Sequence, residues 1–316
     1  MARAGRAGLV VFGISVLVFL IFFATPGADP AARLAGRGAS PENLAAIRHE
    51  YGLDRPWPVQ YATLMRRLFW TRDLQSSVNR GQEVVPAVLR AAPVTLGLAA
   101  GAAVLWLAAG LCIGVVGAAW RGMGIDGVVT GLGLVGVSVP AFWLGEVVNL
   151  LSQSRLREPW FAWVPPLGWR AGDWGTWLPG MVLPWTTLAV LYAGVYGRVL
   201  RRSLIEAYAQ DYVRTARAKG VGEARVLLVH ALRNALVPVV ALFGLDFGAL
   251  VGGGTLLIEV VFGLHGIGKL TYDGLQNLDL AMVMACVLYA AIFVVLANEA
   301  MDAVQRALDP RLRTRR

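Results

Sequence analysis

Charge is scarce in this sequence. Asp, Glu, Lys and Arg make up 16% of its 316 residues, against about 25% in soluble domains, and the charges come in clusters. Between the clusters the chain runs apolar for lengths near the ~20 residues that cross a bilayer. An ordinary water-soluble domain is excluded. Cysteine is scarcer still: Cys112 and Cys286 are the only two, both inside apolar runs, so neither a disulfide framework nor a metal site is expected. The three histidines, His49, His230 and His265, fall in three separate segments without metal-ligand spacing. No Gly-x-Ser-x-Gly or zinc-protease motif occurs, so a membrane-embedded enzyme lacks a catalytic constellation.

A nucleotide site is also missing. Gly263-Leu264-His265-Gly266-Ile267-Gly268-Lys269-Leu270 nearly spells a phosphate-binding loop. That loop needs Ser or Thr after its lysine to hold magnesium, and it needs a strand before it. Leu270 cannot serve, and the segment follows an apolar run. The chain is expected to hold no cofactor and to hydrolyse no ATP.

What is present is a series of apolar runs. Leu9–Ala24 comes first; at sixteen residues it is short for a span and just over the range of a signal-peptide core. Ala31–Arg90 is a polar interlude in which Ser40 can cap a helix from Pro41 that ends at Tyr51-Gly52. A second helix is expected over Val59–Trp70. Val94–Ala119, Val128–Leu151, Leu178–Val199, Leu236–Phe262 and Leu280–Ala300 read as further spans. Pro140 should kink the third, and Gly252-Gly253-Gly254 interrupts the fifth. Trp160, Trp163, Trp169, Trp174 and Trp177 mark an interfacial loop.

The expected fold class is therefore an all-α integral membrane protein with six transmembrane helices. Its parts are a first helix over 1–25, an extracytoplasmic helical region over 26–90, a five-helix core over 91–302 and a basic tail over 303–316. The net charge of +9 carries no nucleic-acid motif and fits basic loops at a membrane face. With both termini inside, sixteen of the 29 Lys and Arg residues lie on the inner side and four on the two short outer loops. Nine lie in the long first loop, which is largely exempt from the positive-inside rule. Glu146, Asn149, Asp246, Glu259 and Asn298 are polar groups within the spans, where charge costs about 2.5–3.5 kcal/mol on insertion scales and normally meets a cavity or a partner. Glu259 lies near the outer end of its span, and Asp246 deeper.

One polar segment stands apart. Glu206–Val239 carries five Arg or Lys, and Arg201 and Arg202 just before it bring the number from Arg201 to Arg233 to seven. Apolar residues recur at Val213 and Ala216, then at Val226, Leu227, Val229 and Leu232, which predicts two short helices broken at Gly220-Val221-Gly222. A loop that merely orients its neighbours explains the charge but not a helix–glycine–helix of this size. A docking surface is the better account.

This segment resembles the cytoplasmic coupling motif of the dipeptide/oligopeptide/nickel-type ABC importer permease family. The resemblance rests on Asp211-Tyr212-Val213-Arg214-Thr215-Ala216-Arg217-Ala218-Lys219-Gly220, then His230-Ala231-Leu232-Arg233-Asn234-Ala235-Leu236 and Pro238. Arg214-Thr215-Ala216 stands where the wider superfamily has Glu-Ala-Ala, as the peptide-type branch does. In the family the first helix is retained and followed by a turn like Pro26-Gly27-Ala28-Asp29-Pro30. Thr71-Arg72-Asp73-Leu74-Gln75-Ser76-Ser77 departs from it, since the family usually carries glycines there.

The resemblance implies a permease subunit of an ATP-driven, binding-protein-dependent importer, for di- or oligopeptides, in a bacterial or archaeal cytoplasmic membrane. It implies a homologous second permease, one or two cytoplasmic ABC ATPase subunits that hold the ATP and magnesium, and an extracytoplasmic substrate-binding protein. Contact with the ATPase would fall to Arg214, Thr215, Ala216, Ala218, Lys219, Gly220, Val221 and Arg225, within 201–235. Ala216, Ala218 and Val221 would supply its apolar part. Pro140, Trp143, Glu146, Asp246 and Glu259 are the candidates for the pathway. A channel or secondary transporter would need internal repeats or paired broken helices, and no clear repeat is found.

Overall fold

The computed structural model describes residues 2–23, 31–32, 40–76, 78–79, 81–122, 127, 131, 138–153, 159–161, 163–164 and 174–308. Among the described residues the structure is helical, with one isolated bridge between Gln75 and Glu83. In chain order the helices are α1 (Ala2–Phe23), α2 (Pro41–Tyr51), α3 (Trp57–Met65), α4 (Val84–Ala119), α5 (Ala141–Gln153), α6 (Trp174–Tyr208) and α7 (Asp211–Ala218). They continue with α8 (Leu232–Ala249), α9 (Leu256–Val261), α10 (Ile267–Asn277) and α11 (Leu280–Leu308). Among the described residues, five stretches are long and apolar enough to cross a membrane: Gly5–Phe23, Val84–Ala119, Trp177–Tyr208, Glu223–Gly254 and Leu280–Gln305. Of the expected third span, Val128–Leu151, the structure describes 131 and everything from 138 on. The Pro26–Pro30 turn, Trp169 and residues 309–316 of the basic tail lie outside the described residues.

The chain divides into two compact units, residues 1–96 with 250–296 and residues 97–249 with 297–316. The first holds the polar interlude. Ser40 caps α2 by accepting from the Asn43 N–H, Pro41 opens the helix, and Gly52 closes it at φ 62. The buried Gln60 amide donates to the Leu53 and Arg55 carbonyls at 3.0 and 2.8 Å, which sets the α2–α3 corner. A π-helical turn, Arg66–Thr71, follows α3, and Arg72 reverses the chain at φ 58. This is the stretch that departs from the family, and it packs as a cap: Leu68 and Leu74 are fully buried with Val84, Val85, Val88, Met284 and Cys286. The Ser76 hydroxyl bonds the Asp279 carboxylate, whose other oxygen accepts from the Met282 N–H at the start of α11. Burial of Val84, Val85 and Val88 in this core is why α4 begins ten residues before the apolar run that predicted it, with Pro93 inside the helix.

In the second unit α4 lies against α6 through glycines. A Cβ at Gly110 would stand 2.6 Å from Tyr196 Cβ, and one at Gly114 would stand 2.7 Å from Leu200 Cβ. Small residues of this kind let membrane helices approach until their backbones nearly touch. Trp185 lies across Gly101, and its indole N–H donates to the Gly97 carbonyl at 3.0 Å. α8 packs on α6 as well. α5 opens directly after Pro140, whose carbonyl accepts from the Leu144 N–H at 3.1 Å. Pro140 therefore stands at the start of α5, with Ser138 helical two residues before it and Val139 not. A helix start needs no donor at that position, so the missing N–H costs nothing there.

The fifth apolar run is in two pieces. After α8 comes a π-helical turn, Leu250–Gly254, in which Gly253 leaves helical geometry at φ 131. Only glycine adopts that conformation readily. α9 then resumes.

Candidate functional site

The basic segment after α6 forms an ordered elbow. α7 ends in a Schellman motif: the Gly220 N–H donates to the Arg217 carbonyl at 2.9 Å, and the Val221 N–H to the Ala216 carbonyl at 3.2 Å. Gly220 supplies the left-handed residue at φ 78. Beneath the turn, Val213, Ala216 and Val226 form a small core of their own, with Tyr208 and Val221 packed against it. One turn, Glu223–Arg225, and a π-helical turn, Val226–Ala231, then lead into α8.

Arg217 ties the elbow together. Its guanidinium lies 5.2 Å from the centre of the Tyr208 ring and meets Glu223 with both ends of the fork, at 2.7 and 3.0 Å. It thus bridges the end of α6 to the start of the next helical turn, around Gly220. The Glu223 hydrogen bond holds the Arg217 guanidinium above its ordinary pKa. None of Tyr208, Arg217 and Glu223 is among the contact residues expected from the sequence. Arg217 and Glu223 face each other across a turn six residues long, which no helical spacing announces.

Of the expected contact residues, Arg214, Thr215, Ala218, Lys219, Gly220 and Arg225 are exposed. Ala216 is buried and Val221 half-buried, because the core beneath the turn takes them. The expected apolar contact surface of Ala216, Ala218 and Val221 is thereby corrected: only Ala218 is fully on the outer face, and Ala216 is part of the support.

The polar groups of the spans divide three ways. Glu259 is 0% exposed. One carboxylate oxygen accepts from the Thr95 and Thr255 hydroxyls at 2.8 and 2.9 Å, and the other from the Lys269 N–H at 2.9 Å. Thr95 in turn accepts from the Ile267 N–H at 2.8 Å. These amides are orphan donors at the start of α10, and an acid at a helix N-terminus also meets the positive end of its dipole. Glu259 is thus a cap enclosed in protein and not a surface group, which corrects its place among the pathway candidates. It also closes the near phosphate loop. The helix start that would hold a phosphate already holds a carboxylate, and Lys269 Nζ pairs with Asp273 at 3.1 Å.

Asp246 is half-buried and accepts from the Tyr196 hydroxyl at 2.8 Å. On α5, Glu146 shares an exposed face with Phe142, Trp143 and Leu150, while Gly145, Asn149 and Ser152 are buried on the other. Asn298 packs against Gly248, where a Cβ would stand 2.7 Å from its Oδ1. Trp160 and Trp163 are exposed.

Two family models cover most of the chain. The inner membrane component of binding-protein-dependent transport systems matches residues 110–314, and the N-terminal part of such membrane components matches residues 1–99. The chain belongs to this family. A Brucella abortus (strain 2308) protein assigned as a peptide transport system permease is 38% identical over 99% of this chain and 98% of its own length. The glutathione transport system permease protein GsiC of Salmonella choleraesuis (strain SC-B67) is 35% identical over 95% of this chain and 94% of its own. A solved structure of the MetNI methionine ABC transporter aligns with TM-score 0.55 and 19% identity, over 70% of this chain and 96% of that one. The likeness to it is one of fold. Members of the family are non-catalytic permease subunits of ABC importers, and ATP hydrolysis belongs to a separate subunit.

Proposed function

We propose that this permease imports small peptides and forms half of a translocation pathway with a second, homologous permease. In this reading it crosses the cytoplasmic membrane six times with both termini inside. An extracytoplasmic binding protein delivers the peptide, and one or two ATPase subunits bind at the elbow around Gly220. Relatives named for peptide and glutathione transport support the substrate class. The elbow supports the coupling role and is the observation that carries it. It has its own small core, a left-handed glycine turn and an exposed cationic rim of Arg214, Lys219 and Arg225. A loop that only sets topology needs the charge but none of the architecture.

The test is to purify the chain from membranes with its neighbours and ask what comes with it. An ATPase that copurifies, and whose turnover rises with peptide-loaded binding protein, is the expected result. A chain that moves solute in vesicles with no ATPase attached would overturn the reading in favour of a channel or secondary transporter.

A further inference from the structure

Within the second unit an acid and a set of aromatic rings come together. Trp106 on α4 is 0% exposed and Tyr196 on α6 is 1% exposed. Trp106 stacks on Tyr192 at 4.7 Å between ring centres and lies tilted against Tyr196 at 6.0 Å and Phe243 at 5.7 Å. Phe243 in turn stacks on Phe247 at 5.5 Å. The Tyr196 hydroxyl donates to Asp246. Trp106 and Tyr196 are buried, while Tyr192, Phe243, Asp246 and Phe247 are all half-buried.

Asp246 lies within the candidate span Glu223–Gly254, on the helical part of it that precedes the break at Gly253. Inside a span a carboxylate needs compensation, and a carboxylate can accept about four hydrogen bonds. Tyr196 supplies one. Carboxylate and ring faces have one preference in common, which is for a cation.

The geometry points to a transient binding site for an organic ammonium group, such as the free amino terminus of a passing peptide, at Asp246 with Tyr192, Phe243 and Phe247 around it. This rests on the importer reading above and names which end of the solute this chain holds. A lysine or arginine of the partner permease would satisfy the same acid permanently. Face contacts worth about 0.5–2 kcal/mol suit a ligand that must also leave.

The test uses the assembled transporter in proteoliposomes, without binding protein, and a cysteine at Phe247. Cys112 is exposed and is changed to serine, while Cys286 is buried and can stay. The rates of a trimethylammonium-bearing and a sulfonate-bearing methanethiosulfonate are compared. The cationic reagent should react faster, and Asp246→Asn should reduce the cation-to-anion rate ratio by about tenfold, the effect of one nearby charge. Tyr196→Phe, which keeps the carboxylate, should leave the preference in place. Ala-Ala should slow the cationic reagent and N-acetyl-Ala-Ala should not.

No reaction, a ratio indifferent to Asp246, or equal protection by both peptides would overturn the proposal. So would an Asp246→Asn chain that no longer assembles with its partner permease, since that marks a permanent ion pair. ATPase retention by the unsubstituted assembly is read in parallel. Its absence would count against the importer reading and not against the ammonium site.

Discussion

Gly220 gives the sharpest way to test the elbow. Its φ is 78, and a Cβ added there would meet nothing within 4 Å. Gly222, two residues on, also has open space around it but sits at φ −65. The two glycines have equal room, but only Gly220 sits in the left-handed region, while Gly222 caps the next helical turn. An L-residue held in the left-handed region costs roughly 1–2 kcal/mol, which lowers the ratio of formed to unformed elbow about 5- to 30-fold. Gly220→Ala should weaken ATPase retention by up to that factor, while Gly222→Ala, at an ordinary φ, should retain the ATPase better than Gly220→Ala does.

Gly220→Asn should fall between them, because asparagine enters the left-handed region more easily. Gly220→Trp carries the strain of the alanine variant plus bulk. Since nothing in this chain stands within reach, any loss beyond that of Gly220→Ala reports on a surface pressed against the turn. The measurement is ATPase bound per permease pair after affinity purification, with binding-protein-stimulated turnover as the second readout. Equal behaviour of Gly220→Ala and Gly222→Ala would refute the argument. Normal retention in Gly220→Trp would reduce the segment to a topology signal.

Three further outcomes are expected. Arg217→Glu should impair stimulated ATP turnover without shifting the melting temperature, because its side chain and that of Glu223 are 42% and 68% exposed and such pairs add little stability; adding Glu223→Arg should restore turnover, and failure to restore it would make the pair incidental. Glu259→Ala should destabilise the detergent-solubilised protein, by about 1–3 kcal/mol for each buried donor left without a partner; an unchanged thermal melt would show that the cap is dispensable. In a Cys112→Ser background, cysteines at Gly222 and Arg313 should label only from the cytoplasmic side and one at Gly172 only from outside, and external labelling of Gly222 would overturn the six-span topology.

Hydropathy made the long helices legible because lipid imposes one demand on every residue that faces it. α1 illustrates this: Leu9, Phe12, Leu17 and Ile21 are exposed in the isolated chain, so their apolarity has no use except outside the protein. Capping chemistry was also readable, since Ser40 and Gly52 act on neighbours in sequence. Helix ends set by distant contacts were not. Val84–Arg90 sits between Glu83 and Arg90 and reads as polar border, yet its valines fill a core with Leu68, Leu74 and Met284. Pro140 carries the same ring whether it kinks a helix or begins one, and only the surrounding backbone decides.

Glu259 was legible as an expensive residue but not as a cap, because its partners Thr95 and Lys269 lie 164 and 10 residues away. Of the elbow, the glycine break and the charge could be read. The Tyr208–Arg217–Glu223 tie could not, since it depends on how sharply Gly220 turns.

The break at Gly253 carries one more implication, for what solvates this chain. Lipid offers no hydrogen bonds, so irregular backbone at membrane depth survives only where protein or water covers it. Gly252, Gly253 and Gly254 are exposed in the isolated chain, lie inside an otherwise apolar run, and include a residue at φ 131. That strip of surface presents backbone and no side chain. Leu245, exposed at 72%, offers acyl chains an apolar side chain to wet, and the three glycines, about two turns further along the chain, offer them only backbone.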